Sequence, residues 1–166
     1  MEAFQKIKDK IQNLEQAKKT VQDWKTKDEK VVFTNGCFDL LHLGHIDYLS
    51  KAKDLGTKLV IGVNSSESVS KLKGPSRPIN STESRSTMLA AFEFIDLVIV
   101  FGENTPLNLI SNLSPNILVK GGDYTFDTIV GAKNVIEYGG KVKVIPFLQG
   151  YSTTNIVTKI QSFSKS

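Results

Sequence analysis

Five near-continuous apolar runs, about 30 residues apart, constrain this chain more than any other feature in it. They read "KVVFTN", "KLVIGVN", "DLVIVF", "NILVKGGD" and "KVKVIPF". Each is followed by a stretch whose apolar residues fall at helical spacing. A strand that is apolar at successive positions is buried on both faces, and strands joined through helices run parallel. The expected fold is therefore α/β: an open, doubly wound parallel five-stranded sheet with helices on both faces. Ligands of such sheets bind at the carboxyl ends of the strands, where the strand order reverses. The segments to search are residues 34–45, 64–77, 120–124 and 147–154.

Ahead of the first strand, Phe4, Ile7, Ile11, Leu14, Ala17, Val21 and Trp24 recur at spacings of three and four. That period predicts one N-terminal amphipathic helix over residues 1–30, with a second unit over residues 31–166. Its apolar face either packs on the body of its own chain or meets a second copy in a dimer. The apolar positions are too few for a coiled coil.

Composition narrows the partners. The formal charge of +4 suits an anionic ligand. It does not argue for nucleic acid, because no basic run is interleaved with aromatics. No apolar stretch approaches the roughly 18 residues of a membrane span. The first ten residues, "MEAFQKIKDK", have no apolar core and do not read as a signal peptide. A single cysteine, Cys37, rules out an internal disulfide and fits a reducing, cytoplasmic setting.

Both histidines of the chain, His42 and His45, sit in "TNGCFDLLHLGHIDYL" (residues 34–49), just after the first strand. Neither G-x-G-x-x-G nor G-x-x-x-x-G-K-[ST] occurs, which argues against a nicotinamide-type enzyme and a P-loop NTPase. Gly36 permits a tight turn and a close ligand. Asp39 stands ahead of the helix, where a carboxylate can satisfy free amides. Leu43, Gly44 and His45 open that helix, whose free N–H groups suit a phosphate. Spaced three apart, His42 and His45 can face one phosphate and donate to charge developing on it. Other readings are a Zn²⁺ site, which lacks a third ligand, a Cys37 nucleophile, which lacks an orienting partner, and histidines that merely complete the core.

"GCFDLLHLGH" carries the H-x-G-H signature of the cytidylyltransferase-like nucleotidyltransferases. Its distant companion in that superfamily, an S-T-T element, is present as "YSTTNI" (residues 151–156). Together with "IGVNSSESVSKLKG", "SRPIN" and "LVKGGDY", these stretches closely resemble the heptose-1-phosphate adenylyltransferases. The resemblance covers residues 31 to about 160, and no sugar kinase accompanies it here, as in the stand-alone form.

The resemblance implies a Rossmann-like fold. It also implies transfer of AMP from ATP to D-glycero-D-manno-heptose 1-phosphate, for bacterial surface polysaccharide. It places Asn35, Gly36, Cys37, Phe38, His42, Gly44, His45, Lys120, Gly121, Asp123, Ser152, Thr153 and Thr154 on the nucleotide. Lys71, Lys73, Arg77 and Arg85 fall on the substrate phosphates. His42, His45, Lys73 and Arg85 then act on the transition state. Tyr124 either stacks on adenine or covers the sheet edge. No metal ligand belongs to the protein; Mg²⁺ comes with ATP. A homodimer is expected, with no nucleic acid and no membrane as partner. Many superfamily members carry Arg or Lys where this chain has Val157, which leaves the loop lysines to supply that charge. Two rival functions stay open: a cytidylyltransferase for glycerol 3-phosphate or a similar alcohol phosphate, and a non-catalytic nucleotide-binding module.

Overall fold

Side chains alternate across one parallel sheet, and both of its faces are covered. In the computed structural model, which describes residues 2–122 and 124–163, Val31, Phe33, Val60, Leu97, Ile99 and Leu118 point to one face. Val32, Leu59, Ile61, Val63, Val98, Ile117 and Val119 point to the other. The period of two within each apolar run thus feeds two cores at once.

In chain order the elements are α1 (Glu2–Asp9), β1 (Ile11–Gln12), α2 (Leu14–Thr26), β2 (Val31–Gly36), α3 (Leu43–Lys53), β3 (Lys58–Asn64), α4 (Ser66–Lys73) and α5 (Thr82–Ala90). There follow β4 (Leu97–Phe101), α6 (Leu107–Leu113), β5 (Ile117–Gly121), a 3₁₀ turn (Phe126–Thr128), α7 (Ala132–Glu137), β6 (Lys141–Ile145) and α8 (Thr153–Phe163). The sheet order is β1-β4-β3-β2-β5-β6, every pair parallel. The chain steps outward from β2 to β3 and β4, then returns to the far side of β2 for β5 and β6. The strand order therefore reverses between β2 and β5, and their carboxyl ends define the crevice. The doubly wound α/β expectation holds, with six strands in place of five.

The sixth strand comes from the N-terminal segment, which is not one helix. Asn13 stops and restarts it. Its side chain accepts from the Gln16 amide at 2.9 Å, and the Gln16 side chain accepts from the Asn13 amide at 3.1 Å. This reciprocal cap opens α2 at Leu14. Just before it, Ile11 and Gln12 pair with Val98 and Ile99 at the sheet edge. The chain thereby crosses from one face to the other. Ile7 and Ile11 pack with the core that holds Leu89 and Val98. Leu14, Ala17, Val21 and Trp24 pack with Phe33, Leu97 and Leu113 on the opposite side. The three-and-four spacing survives the break because both faces need apolar cover. Ala17 and Val21 of that face are buried in the chain's own core, while Phe4 at its start stays exposed.

Candidate active site

β2 ends in Asn35 and Gly36, and the chain turns sharply at Cys37 and Phe38. Phe38 has φ 47°, a left-handed conformation that non-glycine residues rarely hold. Its ring is buried and meets the His45 ring edge-on at 5.3 Å. Strained backbone of this kind collects at functional turns. The turn leads to α3, for which His42 is the residue before the first turn and supplies no side-chain cap.

His42 and His45 face each other as stacked rings, with centroids 3.9 Å apart. Both Nδ1 atoms are buried and have no partner among the described residues. Burial, the neighbouring His42 and Lys73 hold the His45 imidazole down at about 4. Burial also pushes His42 down. Both rings are therefore neutral near pH 7 in the free protein. Gly44 serves the packing here. A β-carbon there would lie 3.1 Å from the His42 ring and 3.1 Å from Tyr151 Cβ, so glycine lets α3 approach the loop before α8.

A cleft of about 300 Å³ opens at the crossover point. Asn35, Gly36, Cys37, Phe38, His45, Lys73, Lys120, Gly121 and Thr153 of the expected residues line it. Asp39, Tyr48, Tyr124 and Phe147 complete the lining. The Lys120 ammonium, at the end of β5, donates to the Asn35 side-chain oxygen across the reversal. Burial pushes that ammonium down to about 8. Ser152 caps α8 by accepting from the Asn155 amide at 3.0 Å, and Thr153 Oγ1 reaches the Leu40 carbonyl at 3.5 Å. The start of α8 is thus drawn to the turn that carries the histidines. Thr154 is exposed in that first turn. Asp123 lies outside the described residues.

The basic residues part company. Lys73 reaches the cleft, while Lys71 is exposed and does not line it. Arg77 is paired with Asp39 at 3.0 Å. Arg85, expected at the phosphates, is fully buried. Its Nη1 donates to the Cys37 and Asn64 carbonyls, both at 2.7 Å, its Nε to the Asn80 carbonyl and its Nη2 to Thr82 Oγ1. It ties the ends of β2 and β3 to the loop before α5. Asp39 does the same from the other side. It does not cap α3; it accepts from the amides of Ile79 and Asn80 at 2.7 and 3.0 Å, besides Arg77. Burial pushes this carboxyl up, but the Asn80 amide, Arg77 and the Ile79 amide outweigh it, and the net direction is down.

Two lining residues escaped the sequence reading. Tyr48, whose hydroxyl meets Thr34 Oγ1 at 2.6 Å, falls on the apolar stripe of α3 and reads as core. Phe147 follows the last strand in "PFLQGYSTT", and a large apolar residue in a polar loop five positions before Ser152 was the available signal.

The cytidylyltransferase-like family profile matches residues 33–159. The bifunctional protein HldE of Caulobacter vibrioides is 50% identical over 153 residues, covering 92% of this chain and 32% of the relative. HldE of Geobacter sulfurreducens is 52% identical over 151 residues, covering 91% and 31%. The chain spans about a third of the length of these curated relatives. The crystal structure of a lipopolysaccharide core biosynthesis protein from Thermoplasma volcanium is similar, with TM-score 0.59 and 29% identity, over 75% of this chain and 99% of that one. Pantoate–β-alanine ligase from Francisella tularensis, complexed with β,γ-ATP and β-alanine, shares the fold: TM-score 0.59, 16% identity, over 94% of this chain and 79% of that one.

Proposed function

The chain belongs to the cytidylyltransferase-like family, and we propose that it transfers AMP from ATP to D-glycero-D-manno-heptose 1-phosphate, releasing pyrophosphate and forming ADP-heptose for bacterial lipopolysaccharide. The charge of the cleft carries this reading. Lys73 and Lys120 line it beside the neutral donor His45, and the one carboxylate among its described lining residues, Asp39, is already paired with Arg77. Such a lining suits phosphates. The similarity to the HldE proteins and to the Thermoplasma protein supports a sugar nucleotide as the product.

The acceptor phosphate oxygen is ionised near neutral pH, so it attacks the α-phosphorus without a protein base. A new P–O bond forms. The bridging P–O bond to the β-phosphate breaks, and pyrophosphate leaves with that electron pair. The protein's part is positioning and charge stabilisation. With both Nδ1 atoms buried, the opposite ring edges of His42 and His45 donate to the phosphates. The turn at Gly36–Phe38 takes the nucleotide backbone. Ser152, Thr153, Thr154 and the first amides of α8 take the terminal phosphates. Lys73 holds the acceptor phosphate, and Lys120 stands at the reversal point. These two lysines supply the charge that Val157 does not. Asp39, Arg77 and Arg85 act as positioning residues.

ATP would bring Mg²⁺ with it, and the ion would neutralise part of the phosphate charge. Among the described residues no group of three His, Cys, Asp or Glu could hold an ion, and Mg²⁺ in such sites is held largely by substrate phosphates and water. A homodimer belongs to the proposal on family resemblance, and a cytoplasmic setting on the single cysteine, Cys37. Among the described residues no helix is long and apolar enough to cross a membrane.

Pyrophosphate release from a panel of ATP and CTP against heptose 1-phosphate and glycerol 3-phosphate tests the reading. Turnover is expected with ATP and heptose 1-phosphate. Turnover with CTP and glycerol 3-phosphate alone would replace it by the cytidylyltransferase reading, and nucleotide binding without turnover by the non-catalytic one.

A further inference from the structure

Phe147 is 61% exposed, yet its ring is held in place. It lies against the main chain of Gly121 and Gly122. A β-carbon on Gly121 would collide with the ring, and one on Gly122 would sit 2.7 Å from it. Tyr48 meets the ring edge-on, with centroids 6.1 Å apart and planes at 70°. One side of the ring is therefore backed by two glycines and a buried tyrosine, and the remainder is open to the cleft that also holds Lys120 and His45. A lone exposed phenylalanine needs no explanation. One that lines a phosphate-type cleft, on a main chain that only glycines leave bare enough to receive it, does.

We propose that Phe147 is the stacking surface for the nucleobase of the ATP substrate and sets how tightly that nucleotide binds. The proposal rests on the nucleotidyltransferase reading above. Of the two substrates in that reading, only the nucleotide has a flat aromatic face; the sugar phosphate has none. The ring stands five residues ahead of Ser152, where the triphosphate end of the nucleotide is placed. A base at Phe147 and phosphates at α8 and the histidine turn can thus belong to one molecule. Stacking on an aromatic ring is tolerant of base identity, because every base has a π face. Phe147 accordingly sets affinity for the base more than the choice between bases.

The test compares ATP with inorganic tripolyphosphate, which carries the charge and lacks the base. Both are titrated, with Mg²⁺, into the wild-type protein, Phe147→Ala and Phe147→Trp. Phe147→Ala is expected to weaken ATP binding and raise the KM for ATP roughly 5- to 100-fold, with kcat within threefold and tripolyphosphate binding unchanged. Phe147→Trp restores ATP affinity, and its added indole emission is quenched by ATP and not by tripolyphosphate. Equal weakening of both ligands in Phe147→Ala, or ATP affinity unchanged, overturns the stacking role. A wild-type protein that binds tripolyphosphate and ATP equally overturns it as well. If the wild-type protein binds ATP more tightly than tripolyphosphate but turns over no acceptor, the transferase reading fails while the stacking role stands on the binding data.

Discussion

The imidazoles of His42 and His45 stack 3.9 Å apart at an interplanar angle of 25°, each with a buried Nδ1 that has no partner among the described residues. Two cations would repel at that distance, so the stack holds only while the rings are neutral. In the proposed reaction His45→Ala lowers kcat about 10²- to 10³-fold, as removal of an oriented donor does. A kcat within twofold of wild type in a pyrophosphate-release assay would remove His45 from that role.

The same pair makes stability depend on acid. His45 titrates at about 4 in the folded chain and near 6.5 when unfolded. As pH falls from about 6.5 to about 4, the unfolded chain binds a proton that the folded chain refuses, so stability declines across that window and not because of this group outside it. His42 shifts in the same direction. Thermal melts of the wild-type protein should lose Tm from pH 6.5 to 4 more steeply than those of His45→Gln. Parallel slopes would contradict this.

Lys120 governs the alkaline side. Burial holds its ammonium at about 8, so the free protein loses this charge as pH rises through about 8. Because kcat/KM reports the free enzyme, it should fall above that pH. Lys120→Arg keeps the cation and should carry the descending limb to higher pH. An unmoved limb in that variant would assign it to another group.

Arg85 holds three carbonyls and one hydroxyl with no exposure of its own. Arg85→Met removes the donor from the Cys37, Asn64 and Asn80 carbonyls, each at about 1–3 kcal/mol, while Thr82 Oγ1 keeps the Ser66 amide. A loss of about 3 kcal/mol or more in urea denaturation is expected. A surface arginine at the phosphates would instead change KM and leave stability untouched.

Val21 reports on the N-terminal segment. It is buried against the chain's own sheet, so Val21→Ala should cost about 2 kcal/mol of folding stability. Its sedimentation coefficient should not change. Loss of oligomer without loss of stability would return this face to a dimer interface.

The legible part of the site lay on strand ends. "VVFTN" and "ILVKG" are near-continuous apolar runs and "VKVI" an interrupted one on an edge strand, so their carboxyl ends, and with them Asn35, Lys120 and the S-T-T loop, follow from the strand pattern. The apolar spacing of the N-terminal segment predicts one helix because Asn13 interrupts it without disturbing that spacing. A capping residue acts through two hydrogen bonds, which leave no trace in a hydrophobic pattern. Arg85 and Arg77 fall on the phosphates only through the family resemblance, which carries over a position and not its partners. Their acceptors are carbonyls and Asp39, contributed by segments from 5 to 48 residues away.

The sequence by itself determined the layered parallel sheet, the crevice at the end of its first long strand and the presence of two histidines there, because burial period and spacing are local properties of a chain. Only the tertiary structure decided which cations face the cleft, that Phe147 lies on Gly121 and Gly122, and that Asp39 and Arg85 brace the loops. Those outcomes depend on which distant donors and acceptors meet once the strands are side by side, and a buried polar group takes whichever partner satisfies it there.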